Sequence, residues 1–196
     1  MTTFTIAAFL LFITPGPGVL SAAGVGAAYG RSAGFRYILG LFLGNNIVAL
    51  AAVSGLAAIL FTIPLIRTIL LLASIMYLGF LAFRIAFAGS TIAFITNKKQ
   101  PGVLTGITLQ FINPKAYAVN TTLFGGFAFS GVSLTNEILL KFLILNLIWI
   151  PVHFLWVYAG LALRKLELSP LIQRRINYFM AASMLVVLAL ASSSML

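Results

Sequence analysis

The chain has 196 residues, 62% of them hydrophobic and 7% charged, against about 25% charged in an ordinary soluble domain, which excludes a water-soluble globule. Twelve Lys or Arg stand against two acidic residues, Glu137 and Glu167, with no Asp, so the net charge of +10 reflects missing carboxylates more than surplus bases. Long uncharged stretches separate those bases, unlike the basic face of a nucleic-acid binder, and without cysteine there is no disulfide framework, thiol relay or thiolate metal site.

A bilayer core about 30 Å thick takes about 20 apolar residues per helix. By that length the uncharged runs predict six spans, at 4–29, 37–61, 65–87, 103–129, 138–163 and 176–195. Short links at 30–36, 62–64, 89–102, 130–137 and 164–175 join them, none long enough to fold alone. The expected architecture is therefore an all-α polytopic membrane helix bundle, one transmembrane domain over 1–196. The first run lacks a positive n-region and exceeds a signal peptide's apolar core, so it is expected to remain in the mature protein.

Lys/Arg bias sets the orientation. The odd links and their flanks hold Arg31, Arg36, Arg84, Lys98, Lys99, Arg164, Lys165, Arg174 and Arg175, nine bases against Arg67 and Lys141 on the other side. Odd links are then cytoplasmic and both termini lie outside a cytoplasmic (inner) membrane. Glu137 and Lys141 form an i,i+4 pair in the first turn of the fifth span. Ser169-Pro170 reads as an N-cap with Pro at the first helical position, and Arg67 and Arg84 bracket the third span close enough to its ends to snorkel outward.

Two spans are interrupted at depth. The first carries Thr14-Pro15-Gly16-Pro17-Gly18 and the fourth Asn113-Pro114-Lys115. Proline removes an N–H and clashes with the preceding turn, and backbone groups freed at membrane depth are tolerated only against protein or a wet cavity. Phe12-Ile13-Thr14-Pro15 and Phe111-Ile112-Asn113-Pro114 share Phe-Ile-x-Pro at an offset of 99, and Asn46 and Asn146 recur at an offset of 100. Three spans per half force opposite orientations, so the pattern predicts a 3+3 inverted-topology repeat with halves of about 1–98 and 99–196 and broken helices one and four. Paired broken helices form the midplane substrate site of many secondary transporters; the competing reading is a pair of proline kinks with a packing role.

With those motifs in view, the sequence resembles the lysine exporter family, also called the resistance-to-homoserine/threonine family, of small amino-acid efflux proteins. The resemblance rests on Pro15-Gly16-Pro17 after Thr14, Gly-Arg-x-Ala-Gly at 30–34, Tyr77-Leu78 with Arg84 closing that helix, and Asn113-Pro114-Lys115. It implies export of small neutral or basic amino acids or close analogues across the cytoplasmic membrane, driven by the proton motive force, by a homodimer. Many relatives carry a carboxylate near the end of span two or in span five, where this chain has Asn45-Asn46 and Pro151-Val152-His153. No acidic residue lies within any predicted span, which favours a zwitterion over a strongly cationic substrate.

Lys115 lies about 18 Å from the cytoplasmic start of its span at 1.5 Å per residue, beyond easy reach of either interface. An ammonium at that depth usually marks a pathway or a paired site; the carboxylate of an amino acid can pair it, or the carbonyls of a broken helix can hold it as a structural pin. His153, the single histidine, is either a proton carrier near neutral pH or a hydrogen-bonded packing residue. Asn45, Asn46 and Asn146 can bind both ends of a zwitterion or act as interhelical glue. Gln110 and Thr14 flank the breaks and share that ambiguity, and Gly16, Pro15, Pro17 and Pro114 belong to the breaks themselves. Trp149, Trp156 and Tyr158 are expected to face lipid or neighbouring helices, and Gly40-x-x-x-Gly44 to permit close helix approach, as does Gly79.

Two rival readings compete with a transporter of amino acids. An intramembrane enzyme is disfavoured, because the chain has neither a paired aspartate, a Gly-x-Ser-x-Gly elbow nor a His-Glu-x-x-His site. A phosphate-binding loop for primary pumping is also absent. An ion channel or a non-catalytic membrane scaffold stays open, although a cation channel would be expected to show acidic rings or a carbonyl filter. No cofactor and no metal are expected; the partners are the bilayer and the small-molecule substrate, with no nucleic acid.

Overall fold

The computed structural model describes residues 1–14, 16–55 and 100–165 continuously, with single positions between 63 and 86 and between 169 and 182. The described residues are all helical or loop, in the order α1 (Thr2–Ile13), α2 (Pro17–Tyr29), α3 (Arg31–Val53), α4 (Val103–Ile112), α5 (Pro114–Gly125) and α6 (Leu134–Lys165). Helices α3 and α6 are each long and apolar enough to cross a membrane, and α1 with α2, bent by 48° across a short break, makes a third candidate. The outward faces of α1, α3 and α6 expose Leu10, Leu43, Leu50, Leu143 and Leu147, an exterior suited to hydrocarbon rather than water. The fold is a helical membrane bundle. Only scattered positions of the predicted third and sixth spans are described; Tyr77, Leu78 and Arg84 lie outside the described residues, and a Cβ on Gly79 would meet nothing within 4 Å among them, so the close approach expected there is not seen.

Each helix ends for a readable reason. α1 stops at Thr14, whose backbone N–H and hydroxyl both donate to the Leu10 carbonyl, at 3.2 and 2.5 Å. α2 restarts with Pro17 in the first turn, after an extended Gly16, where a missing N–H costs nothing because no partner exists there. Gly30, at φ 83°, turns the chain sharply from α2 into α3. This shortens the first link to one residue: the expected stretch 30–36 is helical from Arg31 onward, because arginines at a membrane interface end an apolar run without breaking a helix. α4 ends at Asn113, whose side chain then caps α5 by accepting from Lys115 N–H at 3.1 Å. The fourth span, expected to run to 129, loses its helix after Gly125. α6 begins at Leu134, earlier than the expected 138, because Ser133 caps it: its Oγ accepts from Asn136 N–H at 3.4 Å. Beyond α6, Ser169 Oγ accepts from Ile172 N–H at 3.5 Å, as the predicted N-cap requires.

Two close crossings order the bundle. A Cβ on Gly40 of α3 would lie 2.0 Å from the Val103 carbonyl oxygen of α4, and one on Gly44 2.8 Å from Gln110 Cβ, so the Gly-x-x-x-Gly pair brings α3 and α4 into contact as expected. A Cβ on Gly160 of α6 would lie 2.1 Å from the Ala23 carbonyl oxygen of α2. Each long unbroken helix thus packs against one interrupted helix. Between α3 and α6, Asn46 and Asn146 exchange amide hydrogen bonds at 3.1 and 2.9 Å, and each also donates to its own i−4 carbonyl, Phe42 or Phe142.

Lys141, expected as a positive charge on the outer side, is 2% exposed. It pairs with Glu137 at 2.6 Å, as the i,i+4 spacing predicts, and donates to the carbonyls of Phe124 and Phe127, with the Phe4 and Phe129 rings 5.9 and 5.3 Å away. The ammonium satisfies carbonyls left at the end of α5, which fastens the start of α1, the end of α5 and the start of α6 together.

Candidate functional site

The two interruptions face one another. Lys115, on the first turn of α5, extends to the other break and donates to the Thr14 carbonyl at 2.8 Å, across 101 residues of sequence. That contact depends on Gly16: a Cβ there would meet Lys115 Cδ at 2.8 Å and Nζ at 2.9 Å. Gly16 itself is extended, at φ −165° and ψ 176°, a conformation open to any residue, so what the position requires is space.

Around this bridge lies a cavity of about 370 Å³, mouth included, to which all six helices contribute. Of the residues expected at a substrate site, Thr14, Gly16, Asn45, Gln110, Asn113, Lys115 and His153 line it. Pro17 and Pro114 do not; they occupy the first turns of α2 and α5. Asn46 and Asn146 also lie off the cavity, their amides engaged with each other, which is the interhelical-glue arrangement. Pro15 lies outside the described residues. The apolar lining, from Leu11, Phe12, Val19, Val119 and Trp149, was not anticipated in that role.

The polar atoms are arranged asymmetrically. Gln110 Oε1 accepts from Asn113 Nδ2 at 3.2 Å, Asn113 Oδ1 from Lys115 N–H, and Asn45 Oδ1 from Asn120 Nδ2 at 3.1 Å. Every amide oxygen of the lining thus already accepts a hydrogen bond, whereas Lys115 through its ammonium and Asn45 through its amide nitrogen bring donors to lining positions. Asn45 Nδ2 is buried with no partner among the described residues. Among the described residues no carboxylate lines the cavity, and no group of three His, Cys, Asp or Glu that could hold a metal comes together.

His153 is buried and stacks on Trp149, ring centroids 3.5 Å apart at 12°. Its Nδ1 lies 2.9 Å from the Trp149 carbonyl oxygen. A carbonyl only accepts, so Nδ1 carries the hydrogen in the neutral ring and Nε2 keeps a lone pair. That lone-pair nitrogen sits 3.6 Å from where a Cβ on Gly18 would be, on the cavity side of α2.

The sequence that builds this cavity is similar to those of known proteins. The chain is similar to a leucine efflux protein of Enterobacter sp. (strain 638), 26% identical over 139 residues, which are 68% of this chain and 65% of the relative's length. No solved structure matches it. The model of the LysE type translocator family matches residues 9–193, both interruptions included. The chain belongs to the LysE type translocator family.

Proposed function

We propose that this protein exports neutral amino acids with aliphatic side chains across the cytoplasmic membrane, by alternating access around the cavity between its two helix breaks. The observation that carries the reading is the 2.8 Å contact of Lys115 with the Thr14 carbonyl: it sets an ammonium and a freed carbonyl face to face, the complements of the two ends of a zwitterion. An amino acid entering there would separate them, its carboxylate taking Lys115 and its ammonium taking Thr14 O or the lone pair of His153 Nε2. The first turn of α2 supplies N–H groups, and the starts of α2 and α5 both place partial positive charge, on the carboxylate side. Leu11, Phe12, Val19, Val119 and Trp149 offer an aliphatic side chain an apolar wall, and no carboxylate among the described lining residues is there to partner a basic side chain. The leucine in the name of the similar efflux protein fits that wall.

His153 gives this transporter a means of proton coupling. Nε2 either binds a proton or accepts a hydrogen bond from the substrate ammonium, and the two are mutually exclusive. Mutual exclusion at one atom is the minimum requirement for antiport, with protons entering as the amino acid leaves. The reciprocal Asn46–Asn146 pair, each amide bonded to its own i−4 carbonyl, supports an inverted relation between halves 1–98 and 99–196. Orientation with both termini outside rests on the Lys/Arg bias, and assembly as a homodimer on the family resemblance.

Counterflow in proteoliposomes tests the function. Unlabelled leucine trapped inside should drive transient accumulation of external labelled leucine. A channel would equilibrate the label without an overshoot, a scaffold would leave it outside, and either result would overturn the proposal.

A further inference from the structure

Asn120, on α5, does not line the cavity, yet it governs a side chain that does. Asn45 and Asn120 are 2% and 0% exposed. Asn120 Nδ2 donates to the Ala116 carbonyl at 2.8 Å and to Asn45 Oδ1 at 3.1 Å. Since a carbonyl can only accept, the Asn120 amide must turn its nitrogen toward Ala116. With a nitrogen there, the Asn45 atom that it meets must be the oxygen. The run of bonds from Ala116 O through Asn120 therefore fixes which way round the Asn45 amide sits. What remains is Asn45 Nδ2, a buried donor with no partner among the described residues, on a residue of the cavity lining. The acceptor left over in the pair, Asn120 Oδ1, belongs to the residue outside the lining.

Buried N–H groups without partners are rare in native proteins, because an unmade hydrogen bond there is destabilising. The Gln110 and Asn113 amides are tied through their oxygens to neighbours within the α4–α5 break, whereas the Asn45 pair crosses from α3 to α5 and leaves a fully buried amide nitrogen without a partner among the described residues. We propose that Asn45 Nδ2 is a second donor to the substrate carboxylate beside Lys115, and that Asn120 is the positioning residue that presents this donor instead of the oxygen. The inference rests on the reading that the cavity holds an amino acid by its carboxylate. It adds what that reading lacks: the acid-binding polarity of the site is set from α5, one layer behind the wall.

Asn120→Thr reverses the polarity with little change of bulk. A threonine hydroxyl in a helix donates to its own i−4 carbonyl, here Ala116, and turns its oxygen lone pair toward position 45. Asn45 would then swing its Nδ2 to that oxygen and offer Oδ1 to the cavity. Dissociation constants for L-leucine and L-leucinamide, which lacks the carboxylate, are to be measured on the purified full chain for wild type, Asn120→Thr, Asn45→Leu and the off-cavity control Asn46→Leu. Wild type should prefer the acid. Asn45→Leu and Asn120→Thr should each narrow the acid-over-amide ratio by about tenfold, the worth of one charge-assisted hydrogen bond, with Asn46→Leu leaving the ratio unchanged. Asn120→Ser presents the same hydroxyl and serves if the threonine variant does not fold. A ratio that stays at the wild-type value in the Asn120 variants overturns the positioning role, and equal weakening of both ligands would make Asn120 merely structural. If wild type itself shows no preference for the acid, it is the carboxylate reading of the cavity that fails, and this inference with it.

Discussion

The bridge between the breaks can be disturbed without touching its charge. In Gly16→Ala the new methyl would lie 2.8 Å from Lys115 Cδ and 2.9 Å from Nζ, against about 3.5–4.0 Å for ordinary contact. The backbone at 16 is extended, so alanine adds no strain of its own and the whole effect falls on Lys115. A retreat of about 1 Å takes the Lys115–Thr14 contact from 2.8 Å past the hydrogen-bond limit of about 3.2 Å. If Lys115 is the main counter-charge of the substrate, losing its alignment costs up to about 1.5–3 kcal/mol, or about ten- to a hundredfold in leucine affinity. Lys115→Ala should lose a similar amount. The decisive measurement is the double-mutant cycle by titration calorimetry. In the Lys115→Ala background the three atoms nearest the methyl at 16 are gone, so adding Gly16→Ala should change affinity by less than about threefold, a coupling far beyond the few tenths of a kcal/mol of independent sites. Equal losses in both backgrounds would show that Gly16 acts on its own. No loss from Gly16→Ala beside a large one from Lys115→Ala would show that the ammonium need not sit between the breaks.

His153→Ala should abolish leucine efflux driven by a pH gradient while leucine–leucine exchange persists, since exchange moves no net proton; unchanged gradient-driven transport would return His153 to a packing role against Trp149. Single cysteines at Ser32 and Ser133, both exposed and in a cysteine-free background, should differ toward an impermeant thiol reagent in intact cells, Ser133 reacting and Ser32 not; the reverse would invert the topology. Gly40→Ala should destabilise the α3–α4 crossing by about 1–3 kcal/mol or more, seen as a lower unfolding temperature in detergent. Gly125→Ala, where a Cβ meets nothing within 4 Å, is the matched control, and equal effects at both positions would refute the close-packing argument.

The fold was legible where its cause is local. Thr14-Pro15-Gly16-Pro17 and Asn113-Pro114 announce broken helices because proline lacks a donor, and Gly40-x-x-x-Gly44 announces a close crossing because four residues return to the same helix face. Helix starts were less legible. The onset of α3 at Arg31 is hidden from a reading based on apolar runs, since arginine is a good helix former that simply ends the run. Lys141 shows the other limit. Its pairing with Glu137 follows from i,i+4 spacing, but its burial depends on carbonyls of Phe124 and Phe127 that only the turn after α5 brings to it.

The site divides along the same line. Lys115 and Thr14 could each be singled out from the sequence by depth and by proline, but their contact across 101 residues could not. Asn45 and Asn46 are adjacent, about 100° apart on a helix, and nothing local says which of them faces the cavity. The structure gives the cavity to Asn45 and the helix–helix contact to Asn46. Trp149 lies four residues before His153, hence on the same face, a spacing that could have nominated it as lining. Asn120 carries no such signal, being a single amide within an apolar helix, where packing glue is the ordinary reading. Its significance comes from a sequence of directional constraints: a carbonyl that can only accept orients one amide, which orients the next, which leaves one N–H over. Each step needs three-dimensional neighbours, and each is binary, so a site built from uncharged amides can still hold a defined polarity. On the proposed reading, an anion is then favoured by how those amides are turned as well as by the one ammonium that the sequence places at depth.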